Sequence, residues 1–117
     1  MSQVRVLQGA QIYVSMFVMN ENVKNIAEAV KPTLDKYGVR YAGLFGSQAR
    51  GTARSDSDVD ILVSPGDKPF SVWDIVGMKN ELSERLKKQV DLIFEKAIVP
   101  YFQDYIFRDL KIIYGSR

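Results

Sequence analysis

Hydrophobic positions along the chain change their period several times, and each change marks an element. From Asn22, the residues Val23, Ile26, Ala27, Val30, Leu34 and Tyr37 recur at three- and four-residue intervals, the spacing of a single helical face. Asn20 or Asn22 is placed to cap this helix, and Gly38 to close it in the left-handed conformation. Pro32 falls inside the stripe and removes a backbone hydrogen bond, which predicts a kink near Glu28–Lys31. Val39–Phe45 is apolar on both faces, as in a central strand covered by helices. Gln48–Arg50 then predicts a short helical turn ended by Gly51, and Ser55–Ser57 a loop.

Asp58–Val63 reads as a second strand, with Val59, Ile61 and Val63 on one face and Asp58, Asp60 and Leu62 on the other. Ser64–Asp67 is a turn. A long helix follows, capped by Ser71 with Asp74 at its third position, and its expected core stripe is Val72, Ile75, Met78, Leu82 and Leu86. Val90–Phe94 is a third strand that sets Val90, Leu92 and Phe94 against Asp91 and Ile93. Pro100 starts a last helix with Tyr101, Phe102, Tyr105, Ile106 and Phe107, and Lys111–Tyr114 adds a short final strand. The aromatics of that helix are a candidate docking face, although a stripe at helical spacing is more often core.

Residues 1–20 do not share this order. Val4, Val6, Ile12, Val14, Phe17 and Val18 alternate weakly around Gly9, which suits a loose edge strand at most. No uninterrupted apolar core or small-residue cleavage site marks a signal peptide, and no run is long enough to cross a membrane. We expect 1–20 to be a dispensable leader, with Met16 and Met19 as alternative starts, and 21–117 to be one domain. The fold expected is α/β: a small mixed sheet of three to four strands, with helices mainly on one face.

Composition narrows the chemistry. A chain of 117 residues holds one core but not a catalytic domain plus a substrate domain. Its net charge of +2, with both signs interspersed, makes no case for direct nucleic-acid binding. The absence of cysteine fits a cytoplasmic protein. Histidine is absent too, so any metal must be held by carboxylates, carbonyls and water, which favours Mg²⁺ or Mn²⁺ over zinc.

Candidate chemistry gathers around Gly46 and Ser47. Backbone N–H groups after a Gly-Ser turn suit phosphate oxygens, the Ser47 hydroxyl can join them, and a side chain at Gly46 would block close approach. Asp58 and Asp60, two apart on a strand, share a face at roughly 6.5–7 Å and can hold a hard cation. If the third strand lies beside the second, Asp91 brings a third carboxylate to the same patch. Such a patch demands cations or raised pKa values. The plainer alternative for Asp91 is an acid at a sheet edge in solvent, and Asp56 is best read as a turn residue. Arg50 and Arg54 are either surface charges or phosphate contacts.

The run Gly46-Ser47, ten residues, then Asp58-x-Asp60 resembles the signature of the DNA polymerase β-like nucleotidyltransferases. Its fuller form, from Gly46 to Asp60, looks most like the minimal nucleotidyltransferase (MNT) branch, and the resemblance runs from about Asn22 to the C-terminus. It implies Mg²⁺-dependent, in-line transfer of AMP from ATP, a nucleoside triphosphate, to an acceptor hydroxyl. Asp58 and Asp60 would bridge two metal ions, Asp91 would serve the acceptor side, and pyrophosphate would leave on the side of Gly46 and Ser47. Arg50 would brace the loop or contact phosphate. The branch pairs with HEPN-domain ribonuclease toxins encoded nearby, so the implied acceptor is a tyrosine of such a toxin and the implied role is antitoxin. The alternatives are a module that neutralises its partner by contact alone, or a transferase acting on a small molecule or RNA.

Overall fold

The computed structural model describes residues 21–117, so the expectations for the 1–20 leader and for Asn20 as a cap lie outside the described residues. Helix α1 spans Glu21–Lys36, strand β1 Val39–Phe45, the short helix α2 Gly46–Arg50 and strand β2 Val59–Pro65. Helix α3 (Val72–Leu86), strand β3 (Val90–Phe94), helix α4 (Pro100–Arg108) and strand β4 (Lys111–Gly115) complete the order. The sheet runs β3-β2-β1-β4. β1 pairs antiparallel with β2 and β4, while β2 and β3 are parallel. A parallel pair needs a crossover, and α3 supplies it.

The apolar periods explain the layers. Val23, Ile26, Val30 and Leu34 of α1 and Met78 and Leu82 of α3 bury against Ala42, Leu44, Val59, Ile61, Val63 and Val90 on one sheet face. The opposite face carries a smaller cluster in which Ile106 of α4 packs with Tyr41, Phe45 and Leu62. Gly43 lies under that cluster, where Leu110 comes so close that an added Cβ would stand 2.5 Å from its Cδ1. Thr33 and Lys36 of α1 both donate to Glu81 of α3, at 2.6 and 2.9 Å, and tie the two covering helices together.

Most expected elements hold, with corrections; the short helix α2 begins at Gly46 rather than Gln48, and β4 extends to Gly115. β2 begins at Val59 rather than Asp58 and takes in Ser64 and Pro65, which were expected to turn. Pro65 is tolerated because it pairs with Val39 at the sheet's end. Val72 is exposed at 70%, and Ile75 lies outside the core cluster. The capping box forms as expected, with Ser71 and Asp74 exchanging hydrogen bonds. Phe70 just ahead of it packs on the core and meets Phe94 at a ring separation of 5.6 Å, so the stripe is filled from before the cap. Asn22 lies within the first turn of α1 and does not cap it. Gly38 is left-handed at φ +68°, as the C-terminal signal required.

Candidate active site

The site is built where β1 ends. Phe45 is extended, Gly46 turns left-handed at φ +75° and opens α2, and Gly51 closes that helix at φ +80°. Across the sheet, Phe45 stands opposite Asp60, and Asp60 stands opposite Asp91. These three form one cross-strand row, with neighbouring strands about 4.8 Å apart. Val59, Ile61 and Val90 turn to the buried face, so Asp60 and Asp91 turn to the face of α4. The expected phase of both strands is correct.

Gly46 has a more specific duty than clearing space for phosphate. A Cβ at this residue would overlap Asp60 Oδ2 and stand 3.2 Å from Asp60 Cγ. The absence of a side chain is what admits the carboxylate.

Asp60 is half-buried, and its pKa is pushed up to about 6. Desolvation is the largest cause, followed by the charge of Asp91, a hydrogen bond shared with the Asp91 carboxyl and the charge of Asp58; Arg50 opposes them. Asp58 is exposed and lies just ahead of β2. Among the described residues, no three acidic side chains form a ready-made metal cluster. The structure thus brings Asp60 and Asp91 together and leaves Asp58 nearby at the rim. The donor set still fits a hard divalent cation. It offers oxygen alone, it crowds like charge, and Gly46 leaves Asp60 Oδ2 the room that a Cβ would fill.

The remaining candidates sit around this row. Ser47 is half-buried in the first turn of α2, where backbone N–H groups have no partner within the helix. Arg50 lies 3.6 Å from Asp109, so it braces the end of α4 while its charge reaches Asp60. Arg54 belongs to the loop before β2, which it stiffens through its backbone: its N–H donates to Ser57 Oγ at 2.7 Å and its carbonyl accepts from Ser57 N–H at 3.1 Å. With Glu21, Asn22, Gln48, Ser55 and Lys88, it lines a cleft of about 500 Å³.

Two contributors escaped the sequence reading. Gln48 is 1% exposed; its Nε2 donates to the Asp58 carbonyl at 3.4 Å, and its Oε1 accepts from Asn22 Nδ2 at 2.5 Å. A glutamine placed between Ser47 and Ala49 in an otherwise tightly packed turn was the available signal. Lys88 donates to the Ser55 carbonyl at 2.6 Å and anchors the loop that carries Arg54 and Asp58. Nothing local in the sequence pointed to Lys88, because the contact joins residues far apart in the chain.

Known proteins resemble this chain in sequence and in fold. A family described as polymerase beta, nucleotidyltransferase matches residues 28–117. A candidate protein adenylyltransferase of Methanocaldococcus jannaschii is 40% identical over 88 residues, which cover 75% of this chain and 94% of that protein. Protein adenylyltransferase MntA of Thermococcus cleftensis is 34% identical over 91 residues, covering 77% of this chain and 91% of its own. Among solved structures, a chain in the complex of a tri-AMPylated Shewanella oneidensis HEPN toxin with MNT antitoxin aligns at a TM-score of 0.57 and 18% identity. The alignment covers 81% of this chain and 71% of that one, and the likeness is one of fold.

Proposed function

This chain belongs to the polymerase β nucleotidyltransferase family, and from that premise we propose that it transfers AMP from ATP to a tyrosine of a HEPN-domain protein and acts as its antitoxin. The observation that carries this reading is the row Phe45–Asp60–Asp91, with Gly46 opened to admit the central carboxylate. The names of the curated relatives support AMP transfer to a protein. The AMPylated HEPN toxin of the solved complex supports the class of partner.

Each residue then has a task. Backbone N–H groups at Gly46 and Ser47, with the Ser47 hydroxyl, would hold the oxygens of the triphosphate. Arg54 would add charge to the phosphates, and Arg50 keeps α2 braced on Asp109. Asp58, Asp60 and Asp91 would hold Mg²⁺, two ions in this reading, or Mn²⁺. When bound, the metal neutralises charge at the attacking and leaving oxygens. The tyrosine oxygen forms a bond to the α-phosphorus, the bond from that phosphorus to the oxygen of the β-phosphate breaks, and pyrophosphate departs. Asp91, at the outer end of the row, faces the acceptor and takes the phenolic proton. Residues 21–117 serve as the single transferase domain, and 1–20 is dispensable to it. No described helix is long and apolar enough to cross a membrane.

The test uses the product of the adjacent reading frame, a helical protein with an Arg-x₄-His motif if the partner is a HEPN toxin. Wild type and Asp58→Asn/Asp60→Asn are each incubated with it, ATP and Mg²⁺, and the intact mass of the partner is read. A gain of AMP units with wild type alone, with release of pyrophosphate, is expected. A partner that gains no mass yet is neutralised equally by both proteins would overturn the transferase reading in favour of inhibition by contact.

A further inference from the structure

Helix α4 meets the sheet incompletely. Ile106 is buried, yet Phe102, Tyr105 and Val99 stand 51%, 45% and 52% exposed. Between them and the sheet lies an apolar groove of about 320 Å³, whose lining also includes Phe45, Ile93 and Ile98. An apolar opening beside exposed aromatics is a candidate place for something else to pack.

Its position says what. Phe45 is the cross-strand partner of Asp60 and the residue before Gly46. Ile93 lies two residues beyond Asp91 on the same strand face, in the next row, where it pairs with Leu62. That separation is about 6.5–7 Å along the strand. The groove therefore adjoins the carboxylate row: it shares Phe45 with that row and reaches Ile93 in the next one. A second cleft, lined by Glu21, Asn22, Gln48, Arg54 and Lys88, opens at the loop and α1 side instead.

We propose that the groove between α4 and the β1–β3 face is the acceptor subsite, and that it seats an apolar, aromatic-bearing segment of the partner protein flanking the hydroxyl that is modified. This rests on the transferase reading for the identity of the hydroxyl, while the docking itself stands on the groove. A segment lying over Phe102 and Tyr105 with its end towards Ile93 brings its next residue to Asp91. Aromatic side chains on both surfaces supply contact area at low entropic cost, which is how a few residues come to dominate an interface.

The test compares full-length wild type with Phe102→Ser/Tyr105→Ser and with Val99→Asp, all at exposed positions, each checked for cooperative thermal unfolding. Trp73→Ser is the control, because Trp73 is 82% exposed on α3, away from the groove. Affinity for the adjacent-frame partner is read by calorimetry, and transfer by KM for the partner, KM for ATP and kcat. Both groove variants should weaken partner binding and raise KM for the partner by about tenfold or more, the loss typical of an interface anchor. KM for ATP should stay unchanged, and Trp73→Ser should behave as wild type. Unchanged partner affinity in folded groove variants would overturn the proposal, whether or not AMP is transferred. So would a wild type that dimerises through the groove while the variants are monomers, since the occupant would then be a second copy. A partner that binds wild type through the groove but gains no mass would leave the groove standing and sink the transferase reading alone.

Discussion

Gly46 and Asp60 compete for one space at the end of the β1–β2 pair. The glycine is left-handed, at φ +75°, and any Cβ on it would collide with the Asp60 carboxylate. Gly46→Ala therefore carries two separable penalties. Backbone strain at a left-handed alanine costs about 1–2 kcal/mol, and displacement of Asp60 adds to it. Transfer should fall by about 100-fold or more, as expected when a metal-binding carboxylate is misplaced by an ångström. Thermal denaturation of Gly46→Ala alone and in an Asp60→Ala background checks the mechanism. With the carboxylate gone, the glycine substitution should cost less, leaving the backbone strain alone.

The acidic residues should be unequal in effect. Asp91 stands at the acceptor end of the row, beside Ile93 and the groove. Asp91→Asn should lower kcat by about 100-fold or more, the range for removing a group that handles the proton, while nucleotide affinity changes by less than about threefold. Asp56 lies in the exposed loop, and Asp56→Asn should leave both within about twofold. Steady-state kinetics with nucleotide binding by calorimetry separates the two. Equal damage from Asp56→Asn would reassign the ligands.

The sequence disclosed what depends on periodicity and short spacing. The phase of β2 was readable because Val59, Ile61 and Val63 alternate with Asp60 and Leu62 across a sheet buried on both faces. Gly38 announced its left-handed turn by position, and Gly51 the end of its helical turn. Asp91 could be put beside Asp60 only on the condition that their strands were neighbours, which is a matter of sheet order and not of local pattern. Val72 misled because helical periodicity says nothing about where a helix overruns the sheet it covers. Tyr101, Phe102 and Tyr105 kept the face of α4 ambiguous for the same reason. An aromatic stripe has one spacing whether it meets a core or a partner.

Gln48 links three segments through one buried side chain: the first turn of α1 at Asn22, α2 itself, and the Asp58 backbone. Gln48→Leu keeps the size but leaves the Asn22 amide and the Asp58 carbonyl without these bonds, at a cost of about 1–3 kcal/mol. We expect the loop that carries Asp58 to loosen, so that kcat falls by about tenfold, comparable to loss of an outer partner to a metal ligand. Hydrogen exchange at residues 55–59 should rise in the variant while that of β3 holds. Uniform protection across both segments would assign Gln48 to packing alone.

Asp60 should destabilise the metal-free protein near neutral pH. Its folded pKa of about 6 lies above the ordinary value of 3.8, so the folded state binds the extra proton between those limits. Stability is lost as pH rises through that window, and the full penalty is present above about pH 6. Because Asp60 is only half-buried, solvent screening reduces the penalty to the order of 1 kcal/mol. Asp60→Asn removes the charge, relieving both the desolvation and the repulsion from Asp91 and Asp58. At pH 7 without metal, the variant should melt about 4–8 °C above wild type, and the difference should vanish near pH 4, where wild-type Asp60 is protonated. Mg²⁺ supplies the missing positive charge in the wild type. It should raise the wild-type midpoint and narrow the gap, while moving that of Asp60→Asn much less. Scanning calorimetry at pH 4 and pH 7, with and without Mg²⁺, reads all of this. Activity runs the opposite way, since the variant should transfer almost no AMP. A variant more stable and less active than wild type in the same buffer would identify Asp60 as a charge held against the fold for the sake of the reaction. A variant less stable than wild type at pH 7 would show instead that hydrogen bonding by Asp60 outweighs its repulsion.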